Sequence, residues 1–207
     1  MRFEPERAAL VLVDLQRGFI NDTGFVAAQG RDVASCWRAA ESCLILADRA
    51  RQAGLRVIWT RHVLRPDYAD GGLLVGELRP RLREIGALRR GTPDVELVSS
   101  PRESDWIIDK PRYSAFLTTE LDMMLRAHRI DSLVVGGVTT SMCVESTVRD
   151  AAQRDYRCFV VAEAVADFDH ERHLASLAAI RFGFGRVVGS DALVAALQAG
   201  GGVFPAA

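Results

Sequence analysis

Three residues of this chain carry side chains suited to covalent chemistry: Asp14, Lys110 and Cys143. A cysteine offers a nucleophile, a carboxylate a proton acceptor, and a lysine a compact point charge whose pKa its surroundings can move. Lys110, within "SDWIIDKPRYSAF", is the single lysine among 26 basic residues, all the others being arginine. Arginine serves surface pairing well, so one retained lysine suggests a position that a guanidinium cannot fill. A stray surface lysine in an arginine-rich composition is the competing reading, and context has to decide.

Cys143 lies in "GGVTTSMCVEST", in the first turn of a predicted helix. Unpaired N–H groups and the helix dipole favour an anion there, and a nearby ammonium acts in the same sense, so the sequence predicts a thiol pKa lowered from about 8.5. The same cysteine also fits as a small core residue in line with Val144, Thr147, Val148 and Ala151. Asp14, closing "LVLVD", is either a partly desolvated base or an ordinary turn cap. What separates these readings is whether one fold brings all three residues together.

Short Val- and Ile-rich runs at 8–14, 55–61, 106–110, 132–137, 157–163 and 186–189 have the pattern of strands buried on both faces. Helical patterns alternate with them at 32–53, 117–129, 140–154, 170–183 and 190–199, with Gly54 as a C-cap and Ser190 or Asp191 as an N-cap. That alternation predicts one α/β domain over residues 1–207, a three-layer αβα sandwich with a mainly parallel sheet of about six strands and right-handed crossovers. Ligands of such sheets bind outside the carboxyl ends of the strands. Asp14 ends the first strand, Lys110 the third, and Cys143 follows the fourth, so the three converge. Residues 62–105, rich in Pro, Gly, Asp and Ser around one short helical candidate at 77–85, read as an active-site wall, and "GGVFPAA" as a loosely held tail.

Composition narrows the function classes. With 207 residues, 49% hydrophobic and 26% charged, the chain is long enough for one well-buried domain and short for two. A net charge of -1, with arginines and carboxylates interspersed, marks neither a nucleic-acid nor an anionic-membrane surface and favours a small-molecule partner. The apolar N-terminal run breaks at Asp14, too short for a signal sequence, which predicts a cytoplasmic protein. Four cysteines at 36, 43, 143 and 158 form no CxxC pair, as expected of free thiols in a reduced compartment.

"LVLVDLQRGF", "DKPRYSAF", "TTELDMMLRAHRIDSLVVGGVTTSMCVESTVRDA" and "YRCFVVAEAVADF" together resemble the isochorismatase-like cysteine hydrolases, relatives of nicotinamidase, N-carbamoylsarcosine amidase, ureidoacrylate amidohydrolase and biuret hydrolase. The resemblance implies a Rossmann-like, isochorismatase-like fold and an Asp14–Lys110–Cys143 triad. It also implies a cis peptide at Val138–Thr139, an oxyanion hole from the N–H groups of Thr139 and Cys143, and a homodimer or homotetramer. The implied activity is cysteine-dependent cleavage of a small amide, carbamoyl or ureide compound through a thioester. "KPRYSAF" is closer to the ureide and carbamoyl branch. Phe19, Tyr68, Arg112, Tyr113 and Phe116 are the expected pocket residues, Phe19 and Phe116 fitting the core as well, and Arg112 serving as a clamp for a carboxylate or ureido oxygen or else as a surface ion pair.

Nicotinamidases often hold a metal through an Asp-x-His pair, but this chain has Thr60 at the aspartate position of "WTRHVLRPD". No metal and no cofactor are expected. His170 and His173, with Asp167 and Asp169, are a weaker candidate cluster, and His62 reads as a loop residue. A vinyl-ether hydrolase of the isochorismatase type needs no cysteine nucleophile, a non-catalytic scaffold needs no triad, and a dinucleotide binder needs a G-x-G-x-x-G that is absent after the first strand.

Overall fold

A computed structural model describes residues 1–205. Its strands are β1 (Arg2–Phe3), β2 (Ala8–Val13), β3 (Arg56–His62), β4 (Trp106–Lys110), β5 (Ser132–Val138), β6 (Arg157–Ala166), β7 (Arg186–Val188) and β8 (Gly202–Val203). The α-helices are α1 (Arg17–Ile20), α2 (Ala34–Gln52), α3 (Arg81–Glu84), α4 (Leu121–Ala127), α5 (Glu145–Ala152), α6 (His170–Gly183) and α7 (Ser190–Gln198). Six strands form a parallel sheet in the order β4-β3-β2-β5-β6-β7. The chain builds outward from β2 in one direction, then returns to β5 on its other side. β2 and β5 therefore flank the switch in strand order, where α/β sheets open a ligand crevice.

Period-two alternation explains the layers. Along β2, Leu10 and Leu12 pack with α2 and α7, whereas Ala9, Val11 and Val13 pack with α4, α5 and α6. Both faces are covered, so all six β2 residues are buried. β5 needs two glycines to lie this close to its neighbours. A Cβ on Gly137 would fall 2.1 Å from the Val13 carbonyl oxygen and the residue has φ +121°, while a Cβ on Gly136 would meet Cys43 Sγ at 2.7 Å.

The structure corrects several sequence boundaries. The predicted 77–85 helix divides into a π-helical turn, Leu74–Leu78, and α3, because Pro80 interrupts it. The predicted 140–154 helix likewise begins as a π-helical turn, Thr140–Val144, before α5. α4 begins only at Leu121, whose N–H is taken by Thr119 Oγ1 at 3.3 Å. Gly189, rather than Ser190 or Asp191, caps α7, since the Ser190 N–H and hydroxyl both donate to Glu163 Oε2 (2.9 and 3.0 Å). Nor is the tail loose through Phe204. β8 pairs antiparallel with β1, and the Phe204 ring packs 5.2 Å from Phe159.

Candidate active site

The chain leaves β2 through Asp14 in the left-handed region (φ 51°), a conformation that an aspartate tolerates better than most residues. Its N–H donates to the Thr60 carbonyl at 3.2 Å and its carbonyl accepts from the Gln16 N–H at 2.7 Å. Gln16 then extends the sheet with its side chain: Oε1 accepts from the His62 N–H (2.6 Å) and Nε2 donates to the His62 carbonyl (3.1 Å). The D-x-Q motif is thus a splice between the ends of β2 and β3. Thr60 completes it by donating its hydroxyl to Asp14 Oδ1 at 2.6 Å.

Parallel register places His62 of β3 beside Lys110 of β4. Lys110 is fully buried, and its ammonium donates to Asp14 Oδ2 (2.7 Å), the Arg112 carbonyl (3.0 Å) and Cys143 Sγ (3.4 Å). An ammonium has three N–H donors, and here each has an acceptor. Cys143 is presented by the π-helical turn after β5, and the Val138–Thr139 peptide before it is cis. A latch holds this turn: the Ser141 N–H and hydroxyl donate to Asp167 Oδ2 (2.9 and 2.6 Å), and Arg172 donates to Asp167 Oδ1 (3.0 Å).

Electrostatics reverse one expectation. Burial, followed by the Asp14 carboxylate, pushes the Cys143 thiol up, and the opposing pull of Lys110 is smaller. Cys143 rests as a thiol, because the ammonium is already matched by a carboxylate 2.7 Å away and a second buried anion has no counter-charge. Lys110 itself is raised: burial acts to lower it, but Asp14 and then Cys143 outweigh that effect.

The pocket over Cys143 is lined by Phe19, Tyr113 and Thr139 among others. Tyr68, Arg112 and Phe116 lie outside its lining. The Tyr68 hydroxyl donates to the Ala87 carbonyl (2.7 Å) inside the wall formed by residues 62–105. Arg112 donates to the carbonyls of Asp70 and Pro111 (the latter at 2.8 Å), fastening that wall to β4. Phe116 packs against Tyr156 with the rings tilted and their centroids 5.6 Å apart. Sequence reasoning missed Thr60, Gln16 and Asp167 as positioning groups, and Arg31, Arg79 and Arg172 as pocket-lining cations.

His62 is not a loop residue but the buried end of β3, with Nε2 lacking any hydrogen-bond partner. Among the described residues, the cluster of metal-type ligands is Asp14, His62 and Cys143, their ligand atoms within 4.8 Å of one another. Lys110 is bonded to two of these three, and Thr60 holds the second oxygen of Asp14. A dication there would have to displace the ammonium, so the residues present do not fit a metal. The His170/His173 cluster is also spoken for, since His173 Nδ1 is paired with Thr140 Oγ1 (2.9 Å) and Asp167 with Ser141 and Arg172.

Burial, then the Lys110 charge, lowers His62 to about 3, so the folded protein keeps it neutral. An unfolded-chain histidine titrates near 6.5. Between those values the unfolded state binds a proton that the folded state refuses, so stability falls as pH falls from about 6.5 toward 3. Urea unfolding is expected to show a His62 contribution on the order of 2 kcal/mol lost between pH 7 and pH 5. His62→Asn should remove that increment; an unchanged pH dependence in the variant would assign the acid sensitivity elsewhere.

Comparison with known proteins gives a consistent picture. Residues 8–192 match the isochorismatase domain family. Ureidoacrylate amidohydrolase RutB of Methylorubrum extorquens is 36% identical over 176 residues, 78% of this chain and 71% of that protein. A cysteine hydrolase from Pseudomonas syringae pv. phaseolicola superposes with a TM-score of 0.87 at 32% identity, covering 95% of this chain and 94% of the other. N-carbamoylsarcosine amidase from Thermoplasma acidophilum does so with a TM-score of 0.70 at 29% identity, covering 89% and 97%.

Proposed function

This chain belongs to the isochorismatase domain family and hydrolyses amide or ureide carbon–nitrogen bonds, and from that premise we propose that Asp14, Lys110 and Cys143 are its catalytic triad, acting on a small ureido or carbamoyl compound. The observation that carries the assignment is Lys110 Nζ, buried between Asp14 Oδ2 at 2.7 Å and Cys143 Sγ at 3.4 Å. We take residues 1–207 as one hydrolase domain, working in the cytoplasm as a homodimer or homotetramer.

The chemistry is acyl transfer to sulfur. Because Cys143 rests as a thiol, Asp14 must accept its proton as the sulfur attacks, and Lys110 stabilises the thiolate character that develops. The carbonyl oxygen becomes an oxyanion, received by the backbone N–H groups of Thr139 and Cys143, each contributing ~3 kcal/mol in the transition state. Protonated Asp14 passes its proton to the departing nitrogen, and ammonia or an amine leaves. With a ureide the acyl group on sulfur is a carbamoyl thioester. Water then attacks it with Asp14 again as base, which returns the thiol and releases a carbamic or carboxylic acid.

The test is a screen of ammonia and amine release by purified protein against ureido acids, carbamoyl amino acids, neutral ureas, nicotinamide and aliphatic amides, with and without EDTA. Turnover is expected for the ureido and carbamoyl compounds and should be unaffected by chelation. Loss of activity in EDTA with recovery on adding zinc would overturn the metal-free triad. Silence across the panel, with cleavage of a vinyl ether instead, would overturn the amidohydrolase reading.

A further inference from the structure

We propose that His62 orients the departing group: its Nε2 accepts an N–H of the nitrogen that leaves, so the site is built for a leaving nitrogen that carries a hydrogen and not for a leaving oxygen. This rests on the amidohydrolase reading above. It gives a role to a buried ring that the triad chemistry does not use.

The position of His62 is closely set. Gln16 accepts from its N–H at 2.6 Å and donates to its carbonyl at 3.1 Å, which fixes the backbone at the end of β3. The next residue, Val63, donates its N–H to the Lys110 carbonyl at 3.0 Å. Tyr113 packs edge to face against the imidazole, with ring centroids 6.1 Å apart and planes at 86°. Held in this way, the side chain lines the pocket together with Thr139 and Cys143, although the residue is only 2% exposed. A ring nitrogen lies within 4.8 Å of both Cys143 Sγ and an Asp14 carboxylate oxygen.

Nε2 is the unused atom of this ring. It is buried, and among the described residues none donates to it or accepts from it. The Pro111 carbonyl is a hydrogen-bond partner of the ring, and with Nε2 unpartnered that bond belongs to Nδ1. A neutral imidazole carries one N–H, so Nδ1 holds it and Nε2 presents a lone pair. Lys110 already excludes a metal from that lone pair. A general base is excluded too, because burial and then the Lys110 charge lower the ring to about 3, far below the range in which it could draw a proton from water at neutral pH. A lone pair too weakly basic to take a proton still accepts a hydrogen bond, and a buried acceptor left unmatched is costly.

The attack geometry supplies the donor. With the substrate carbon at Cys143 Sγ and its oxygen toward the N–H groups of Thr139 and Cys143, the departing nitrogen has to lie beside Asp14, which protonates it. Asp14 must meet the lone pair of that nitrogen, so the N–H points elsewhere, and Nε2 receives it. As the carbon–nitrogen bond breaks, the proton passes from Asp14 to nitrogen while His62 holds the nitrogen in register. A leaving oxygen has no hydrogen to give and leaves Nε2 unmatched.

The experiment has a kinetic and a spectroscopic arm. The first follows ammonia release from N-carbamoylglycine and methanol release from N-(methoxycarbonyl)glycine, which shares the acyl group but has no N–H on the departing atom, in wild type, His62→Asn and His62→Gln. Asparagine keeps a donor for Pro111 but ends short of the Nε2 position, whereas glutamine reaches it with an oxygen. In His62→Asn, kcat for ammonia release should fall on the order of 10- to 100-fold and methanol release should change less than about threefold, with partial recovery of ammonia release in His62→Gln. The second arm titrates Cys143→Ser, labelled with nitrogen-15 histidine, with N-carbamoylglycine. The His62 Nε2 resonance, identified by its loss in His62→Asn, should report an unprotonated nitrogen in the free protein and move upfield as the ligand binds. Where wild type does not cleave the ester, that resonance decides. Equal losses on amide and ester, an undiminished ammonia release in His62→Asn, or an Nε2 signal unmoved by bound ligand would overturn this role while leaving the amidohydrolase reading in place. A wild type that neither cleaves nor binds N-carbamoylglycine would overturn the carbamoyl reading on which it rests.

Discussion

Cys143→Ser is expected to lower hydrolysis by at least about 1,000-fold with the fold intact, because the nucleophile is the one group for which nothing else in the pocket substitutes. Burial and Asp14 already hold the thiol in its protonated form, so attack depends on moving a single proton to Asp14 as the carbon–sulfur bond forms. A serine hydroxyl is several pKa units harder to ionise, and its oxygen is smaller than the sulfur that meets Lys110 at 3.4 Å. Both changes act against the variant. The other thiols cannot take over. Cys36 and Cys43 are fully buried on α2 and Cys158 is fully buried in β6, and none of the three lines the pocket that Cys143 lines. Iodoacetamide should therefore inactivate the enzyme with a stoichiometry of one, and peptide mass spectrometry should locate the label on Cys143. More than a tenth of wild-type turnover in Cys143→Ser, or inactivation that tracks another cysteine, would remove Cys143 from the mechanism.

The same thiol shows what local sequence conveys and what it does not. The strand–helix alternation placed Cys143 at a helix start because periodicity is a property of neighbours along the chain. It also predicted a lowered pKa, since the helix dipole and a lysine were the only influences visible there. The opposing influences, burial beside Val13 and Val144 and the Asp14 carboxylate across the strand switch, come from residues more than a hundred positions away or from solvent exclusion, and they win. Thr60 was missed for a related reason. A threonine inside "VIWTR" reads as an ordinary strand former, and only the parallel pairing of β2 with β3 brings its hydroxyl to Asp14. Arg79 carried no signal either, being one arginine of many in a segment without periodicity. In contrast, five of the six strands of the parallel sheet were legible to within a residue at each end, because runs such as "AALVLV" are buried on both faces and carry no competing pattern, whereas β6 runs three residues past its expected end at 163. The antiparallel β1–β8 pair involves two residues from each end of the described chain and leaves no pattern to read.

Lys110→Arg is expected to cost on the order of 100-fold or more in kcat although it conserves charge, a change that would pass almost unnoticed at the surface. The ammonium is fully buried and sends its three N–H groups to three acceptors in different directions: Asp14 Oδ2, the Arg112 carbonyl and Cys143 Sγ. A guanidinium is planar, with its donors in one plane and its charge centre farther along the chain, so it cannot meet a carboxylate, a carbonyl and a sulfur arranged around a point. Keeping the pairing with Asp14 would displace Cys143, and a shift of about an ångström at a positioned nucleophile suffices for a loss of that size. Lys110→Met provides the complementary measurement. It leaves the Asp14 carboxylate buried without its cation, for which breaking a buried pair costs about 3–5 kcal/mol, so it should fall in urea stability as well as in activity. Lys110→Arg should lose activity with a smaller fall in stability, and that separation distinguishes placement from charge. Kinetics, circular dichroism and urea titration of both variants decide it. A folded Lys110→Arg enzyme with near-normal kcat would mean that any cation serves beside Asp14, and that the single lysine of this sequence has no geometric role.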